Sequence, residues 1–139
     1  MTTTEDNTAL IRRMEEEIFN KRHVDAIDEF ISPEYALRTA PKGAPAGRDA
    51  VRESMSMYLA GFPDLHVSVD ELLAVDDKVV ARLTYTGTHS GELFGMSPTQ
   101  RRVAVHQFAI YRISDGKVVE EWEISDQLGL MQQLGVIPE

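Results

Sequence analysis

The sequence predicts an α+β fold in which a curved, mainly antiparallel sheet wraps around helices and leaves one central pocket. Three observations support this prediction. Segments with helical periodicity fill the first part of the chain and are interrupted by one short strand-like run. Four long β-rich runs follow one another between residues 65 and 125, and an amphipathic segment comes last. Helices packed on one side of consecutive antiparallel strands define an α+β architecture, and a strongly twisted sheet curls around them.

Composition limits the class of protein and its partners. The 139 residues are predicted to form one domain, residues 1–139, with residues 1–4 disordered. The net charge of −9 and the lack of a basic stripe argue against nucleic acid and anionic membranes as partners. Without cysteine there is no disulfide and no thiolate metal site. No run is apolar enough to span a bilayer and no signal-peptide pattern starts at Met1, so a cytoplasmic location is expected.

The first predicted helix runs to about Asn20, with its apolar residues on one stripe. Its start carries a capping-box spacing, which pairs either Thr2 with Glu5 or Thr3 with Asp6. In this motif the two side chains satisfy free backbone N–H groups, so either pair is expected to fix the start of the helix.

Two further helices flank the predicted first strand. A short helix is expected over Asp25–Ile31, because Pro33 prevents its continuation. Residues 35–39 read as a strand, and residues 40–47, with two prolines and two glycines, form a loop that could border the pocket. Arg48–Ala60 has helical spacing, and a glycine and a proline follow it.

The predicted sheet consists mainly of two hairpins. Leu65–Val75 and Lys78–His89 are strands joined by a two-residue turn, and a loop rich in Gly, Phe, Met and Pro follows over Ser90–Thr99. The second hairpin joins Val103–Ile113 to Lys117–Ser125, and a helix over Asp126–Leu134 completes the chain.

The register of the second hairpin decides which residues share a face. Asp115-Gly116 is a strong hairpin signal, because glycine accepts the positive φ that the turn requires. A three-residue loop places His106 opposite Ile124 and Phe108 opposite Trp122. This face is the more apolar of the two and holds a few ionisable groups, so it is predicted to line the pocket. A two-residue turn would move His106 to the other face from Trp122. The three-residue loop is preferred because it separates the glutamates of the last strand from the aromatic face.

Several segments carry a family resemblance: Pro63-Asp64-Leu65, residues 85–91 (Tyr-Thr-Gly-Thr-His-Ser-Gly), residues 95–99 (Gly-Met-Ser-Pro-Thr), residues 115–122 (Asp-Gly-Lys-Val-Val-Glu-Glu-Trp), Asp126 and Gln133-Leu134-Gly135. Together they resemble the SnoaL-like polyketide cyclase (ester cyclase) family, which has the cone fold of nuclear-transport-factor-like proteins. The resemblance runs from about Leu10 to Pro138. It implies a cofactor-free intramolecular aldol condensation of a polyketide methyl ester, and a homodimer paired through the convex sheet face. The predicted outer row for this pairing is Gln107, Ala109, Tyr111 and Val119.

The resemblance also implies site residues. By this resemblance, Asp126 corresponds to the family's acid/base aspartate and His106 to its pocket histidine. Many members have a histidine directly before the tryptophan, where this chain has Glu121. A carboxyl group in an apolar pocket can serve as base and acid, because burial raises its pKa toward neutrality. Asp126 alternatively caps the last helix, and His106 alternatively is a hydrogen-bonded core residue.

Other side chains are candidates for binding the substrate. Arg82 and Arg38 are expected to point inward, where they could stabilise an enolate or pair with Glu120. Arg112 and Glu120 form a second expected ion pair, diagonal across the hairpin. The expected walls for a flat hydrophobic substrate, each of which could instead be core, are Trp122, Phe108, Tyr58, Phe62 and Met96.

Two alternative functions stay open on the same fold. The first is a non-catalytic ligand-binding or dimerisation module. The second is a tailoring enzyme, either hydroxylase-like or an epoxide hydrolase in which Asp126 and Arg82 hold a water. The sequence contains no glycine-rich phosphate loop, no serine in G-x-S-x-G and no set of His, Asp and Glu with metal-ligand spacing, so no metal site is predicted.

Overall fold

The computed structural model describes residues 3–138. The chain forms a curved sheet with helices packed on its inner side, as the sequence predicts. The elements are α1 (Thr4–Glu15), α2 (Ile27–Phe30), β1 (Ile31–Leu37), α3 (Arg48–Gly61), β2 (His66–Val75), β3 (Lys78–Thr88), β4 (Arg102–Ser114), β5 (Lys117–Ser125) and α4 (Gln127–Leu134).

The five strands form one sheet in the order β1-β5-β4-β3-β2. Strand β1 runs parallel to β5, and every other neighbouring pair is antiparallel. The core lies between the inner face of the sheet and α1, where Ile11 and Ile18 meet Val79, Leu83 and Val118, all fully buried. None of the helices in the described part of the chain is long and apolar enough to cross a membrane.

The start of α1 is fixed by a capping box. The hydroxyl of Thr3 accepts a hydrogen bond from the N–H of Asp6, and the Asp6 carboxylate accepts one from the N–H of Thr3. The structure therefore uses the second of the two predicted pairs. Thr3 and Thr4, which were expected to be disordered, belong to this capped helix start. Residues 1 and 2 lie outside the described residues.

The segment after α1 differs from the prediction. One π-helical turn ends at Asn20, whose side-chain amide makes two hydrogen bonds to the backbone of Val67 in β2. The predicted helix over Asp25–Ile31 is a 3₁₀ turn followed by the short α2, and β1 already begins at Ile31. Extended backbone at Ile31 allows this strand to pair with β5 at Val118, which ends the helix before Pro33 is reached.

The turn of the β4–β5 hairpin corrects the predicted register. Asp115 and Gly116, with φ of 52° and 74°, form a two-residue turn, so Ser114 and not Ile113 pairs with Lys117. A bulge beyond the turn shifts the pairing by one more residue.

The two-residue turn and the bulge together shift the pairing of β4 with β5 by two residues from the predicted register. Phe108 therefore lies opposite Ile124, and Ile110 lies opposite Trp122. Side chains point to the same face at every second residue of a strand. A shift of two residues therefore leaves the predicted members of the aromatic face and of the glutamate face unchanged. The exception is Val118, which is buried on the inner side.

Candidate active site

A cavity of about 400 Å³ lies between the inner face of the sheet, α1, α3 and the loop over residues 38–47. Its walls are mostly apolar, and Val51, Met55, Leu37 and Val103 contribute to them. The loop contributes two prolines to the lining, so it borders the pocket as predicted. A volume of this size falls within the range of small-molecule sites.

The inner face of the hairpin is the glutamate face. On β5, Glu121, Glu123 and Ser125 line the cavity, and on β4 Gln107 and Tyr111 do so. The predicted orientation of the hairpin is therefore wrong. The predicted outer row for dimerisation is wrong as well, because Gln107 and Tyr111 line the cavity and Ala109 is buried. The polar face points into the cavity, and the apolar face points away from the helices.

Glu121 is buried at the inner end of the cavity. Its Oε1 accepts a hydrogen bond of 2.7 Å from the hydroxyl of Tyr35. Burial first, and the neighbouring charge of Glu123 second, raise the pKa of Glu121 well above its usual range.

Glu123 lies two residues further along β5, also lines the cavity and is half-buried. The Gln107 amide donates a hydrogen bond of 3.3 Å to its Oε2, and the Glu123 N–H donates one of 3.1 Å to the hydroxyl of Thr39. These contacts link β4, β5 and the loop after β1 around one carboxyl group.

A third carboxyl group reaches the cavity from α1. Glu15 is 2% exposed, and its Oε1 accepts a hydrogen bond of 3.1 Å from the hydroxyl of Tyr111. Burial raises the pKa of Glu15 to about 7; the hydrogen bond from Tyr111 opposes this shift, and the charge of Glu123 adds to it. Oε2 of Glu15 has no hydrogen-bond partner within residues 3–138.

The polar groups of the cavity carry no positive charge. Besides the three glutamates, four tyrosines line it, and burial raises the pKa of each: Tyr35, Tyr58, Tyr85 and Tyr111. No Lys, Arg or His occurs among the described residues that line it. Residues 3–138 also contain no group of three or more His, Cys, Asp or Glu side chains that could hold a metal ion. Chemically, the cavity offers hydrogen-bond donors and acceptors but no counter-ion for an anionic ligand.

The predicted catalytic histidine does not line this cavity. His106 lies on the outer face of β4, is exposed, and its Nδ1 is 3.2 Å from the hydroxyl of Thr84. Phe108, which is 57% exposed, and Trp122 lie on the same outer face, beside Ile124. Their predicted place in the pocket is corrected, because alternation along β4 and β5 sends Gln107, Glu121 and Glu123 inward instead.

The predicted charged residues also lie on the outer face. Arg38 donates a hydrogen bond of 2.6 Å to Glu120, and Arg112 pairs with the same carboxylate, as predicted. Arg82 is exposed, with its Nε 3.4 Å from Glu71. The expectation that Arg38 and Arg82 point inward is therefore wrong. Arg82 and Asp126 are not brought together in the cavity, and the geometry gives no support to a water-holding Asp–Arg pair.

Three other predicted wall residues divide between cavity and loop. Tyr58 and Phe62 line the cavity, as expected of wall residues. Met96 is not among the lining residues; it lies in the loop between β3 and β4, where its backbone pairs with Leu93.

Asp126 lies at the junction of β5 and α4 and is not among the residues that line the cavity. Its neighbours Ser125 and Gln127 line the cavity, whereas Asp126 is exposed. Its Oδ1 accepts a hydrogen bond of 2.8 Å from the N–H of Gly129, so it is the N-cap of α4. A Cβ at Gly129 would lie 2.1 Å from Oδ2 of Asp126, so only glycine leaves room for this carboxylate. The capping alternative is therefore present in the structure, and an acid/base role for Asp126 stays a prediction.

The polar end of the cavity is formed by residues that were not predicted to line it: Glu15, Tyr35, Gln107, Tyr111, Glu121 and Glu123. For the residues of β4 and β5 the available signal was the alternation of polar residues, but the predicted hairpin orientation placed this polar face on the solvent side. Glu15 carried no signal, because a single glutamate near the end of a charged helix looks like an exposed residue.

Comparison with known proteins identifies the class. The chain belongs to the SnoaL-like polyketide cyclase family, which it matches over residues 9–134. This confirms the resemblance read from the sequence and, with it, the predicted class of polyketide cyclase-like enzymes.

Particular relatives are similar to nearly the whole chain. It is 32% identical over 121 residues to the nogalonic acid methyl ester cyclase of Streptomyces nogalater, covering 84% of this chain and 89% of the relative. It is 33% identical over 129 residues to the aklanonic acid methyl ester cyclase of Streptomyces peucetius, covering 91% and 88%. Among solved structures, AclR of Streptomyces galilaeus, assigned as a hydroxylase, superposes with a TM-score of 0.88 at 31% identity, covering 99% of this chain and 85% of AclR.

Proposed function

We propose that this protein closes a ring in a neutral polyketide ester by a cofactor-free intramolecular aldol reaction in the main cavity. The observation that carries the proposal is the chemistry of the cavity in a chain of this family. Its walls are apolar, its polar groups are carboxyl, phenol and amide groups, and no cation lines it among the described residues. An uncharged, carbonyl-rich substrate suits such a site, whereas a carboxylate would be desolvated beside Glu121 and Glu123 without a partner.

The reaction needs a base, a fixed substrate conformation and a proton donor. A carbon flanked by carbonyl groups loses a proton to the base, and the enolate is delocalised within the substrate. The enolate carbon then bonds to a second carbonyl carbon, whose oxygen becomes an alkoxide and takes up a proton. Holding the chain folded, with the two carbons in reach, can contribute several kcal/mol.

We assign the role of base to Asp126. Asp126 lies in the chain between two residues that line the cavity, and the N–H of Gly129 orients one of its oxygens. Its Oδ2 faces Gly129, so the assigned role requires the carboxylate to turn toward the cavity. Glu123 is the competing candidate, because it lines the cavity directly.

The test measures ring closure of a methyl-ester polyketide precursor with an activated methylene group, followed by chromatography and mass spectrometry. Asp126→Asn keeps an N-cap of similar strength but removes the base. We expect it to lower the turnover number by at least about a hundredfold without a change in unfolding midpoint. Glu123→Gln is the matched comparison. If Glu123→Gln loses the activity and Asp126→Asn keeps it, the base is Glu123. If the wild type closes no ring in any such ester, the proposed function is wrong.

A hydroxylase-like reaction is the second candidate, favoured by the similarity to AclR, which is assigned as a hydroxylase. The same assay separates the two reactions. Aldol closure leaves the substrate mass unchanged or loses water, whereas hydroxylation adds one oxygen atom and consumes an oxidant.

We also propose that two copies of the chain pair through the outer face of the sheet. Apolar side chains are exposed there: Ile124 at 74%, Phe108 at 57%, and Ile110 and Val80 at 37% each. A contiguous apolar patch on one sheet face is typical of an interface, and a two-fold dimer buries the same patch on both copies. Dimerisation explains why the more apolar face of the hairpin points away from the core.

A further inference from the structure

The inner end of the cavity contains a buried oxygen atom whose hydrogen-bonding capacity is unused. Glu15 lines the cavity and is 2% exposed, yet its Oε2 has no partner within residues 3–138. Leaving a buried polar atom unpaired costs roughly 1–3 kcal/mol. Native structures accept this cost mainly where a water, a ligand or a catalytic role supplies the missing partner.

The other carboxyl group at this end is already satisfied. Glu121 accepts the hydrogen bond of Tyr35, and neither of its oxygens is buried without a partner. By contrast, Glu15 uses only Oε1, which accepts from Tyr111. When Glu15 is neutral, its proton therefore resides on Oε2, and the O–H has a ligand or a water as its only available acceptor.

The surroundings of Glu15 favour the neutral form. The ionisable groups that share the cavity with it are Tyr35 of β1, Tyr58 of α3, Tyr85 of β3, Tyr111 of β4, and Glu121 and Glu123 of β5. None of them is a cation. The ionisable residues of β2, the other strand packed against α1, are exposed: His66, Asp70 and Glu71. Burial raises the pKa of Glu15 to about 7.

We propose that Glu15 is a catalytic residue that donates a hydrogen bond, and then a proton, from Oε2 to a carbonyl oxygen of the substrate at the inner end of the cavity. The inference rests on the proposed aldol reaction and assigns its acid.

The step balances without a co-reactant. Asp126 removes the C–H proton, the new C–C bond forms, and the π electrons of the attacked carbonyl move to its oxygen. That oxygen takes the proton of Glu15 as the O–H bond breaks. The proton held by Asp126 returns to Glu15 through solvent before the next turnover.

The test is calorimetry of ligand binding near pH 7 in buffers of different ionisation enthalpy, with the methyl ester of an anthraquinone carboxylic acid as the probe. A quinone oxygen that accepts from Oε2 stabilises the protonated carboxyl group. We expect the wild type to take up about half a proton per bound ester, because a group with a pKa of about 7 starts half-protonated. Glu15→Gln should bind the ester without proton uptake. Glu53→Gln, an exposed glutamate on α3, is the matched control and should behave like the wild type.

The outcomes separate this inference from the proposed function. Binding without proton uptake, or uptake that persists in Glu15→Gln, overturns the role of Glu15 and leaves the cyclase proposal intact. No binding of the ester by the wild type overturns the cavity as a site for neutral aromatic esters, and the inference with it. If Glu15→Gln does not fold, carboxyl-carbon NMR of the wild type decides. A Glu15 pKa that the ester does not raise overturns the inference.

Discussion

The hydroxyl of Tyr35 donates a hydrogen bond of 2.7 Å to Oε1 of Glu121, and this bond joins β1 to β5 inside the cavity. Both residues are buried, at 4% and 8% exposure. β1 and β5 are the parallel pair of the sheet, so the bond reinforces the pairing that differs from all others.

Replacing Tyr35 by Phe removes the donor and leaves the Glu121 carboxyl group buried with one partner fewer. We expect Tyr35→Phe to lower the free energy of unfolding by about 1–2 kcal/mol, measured by urea denaturation. The control is the double variant Tyr35→Phe with Glu121→Gln, compared with each single variant. If the two single changes in the free energy of unfolding add up to the change in the double variant, the bond does not contribute to stability.

Stability should fall as pH rises from about 4.5 toward about 7, because Glu15 keeps its proton in the folded protein over a range where it has lost it in the unfolded chain. Its pKa is raised to about 7 in the folded protein from 4.5 in the unfolded chain, so between these values the folded state binds more protons. The contribution is fully present below about pH 4.5 and is lost as pH rises through about 7; its size is on the order of 3 kcal/mol.

The check is the free energy of unfolding from pH 5 to pH 8 for the wild type and Glu15→Gln. The variant should show a flatter profile over this window, because glutamine does not titrate. Equal slopes in the two proteins would mean that Glu15 is not the titrating group. The pKa of Glu121 is raised as well, so part of the slope of stability against pH should remain in the variant.

The outer-face dimer predicts that one charged substitution separates the copies. Ile124 is 74% exposed in a single chain, so Ile124→Glu should leave the fold of one copy intact and remove the dimer. Light scattering after size exclusion should then give half the wild-type mass. Leu128→Glu is the matched control, because Leu128 is a similarly exposed apolar residue on α4, outside the patch. A wild type that is already monomeric would contradict the dimer.

Local sequence signals were sufficient for α3, α4 and the four long strands, but not for the segment around α2 or for the orientation of the last hairpin. Asp115-Gly116 marked the turn, and β5 has the predicted bounds, because turn chemistry and alternation are local properties. Which face meets the helices is not local. The apolar face carries Phe108 and Ile124 on the outside, and the sequence alone does not reveal a surface that a second chain would cover.

The polar end of the cavity is also non-local. Tyr35 reaches Glu121 across 86 positions, and Tyr111 reaches Glu15 across 96. Each glutamate taken by itself resembles an exposed residue of an acidic protein. Only the fold brings the donors to them, which is why the sequence placed the candidate site on Asp126, His106 and Trp122 instead.

The most direct test compares the binding of the anthraquinone methyl ester with that of its free acid to the wild type at about pH 8. An uncharged ester fits a cavity whose described lining has glutamates but no cation. The acid carries a carboxylate that would lose water beside Glu121 and Glu123. We predict that the acid binds at least about tenfold more weakly, a difference of about 1.4 kcal/mol. Equal or tighter binding of the acid would contradict a cavity built for neutral polyketide esters.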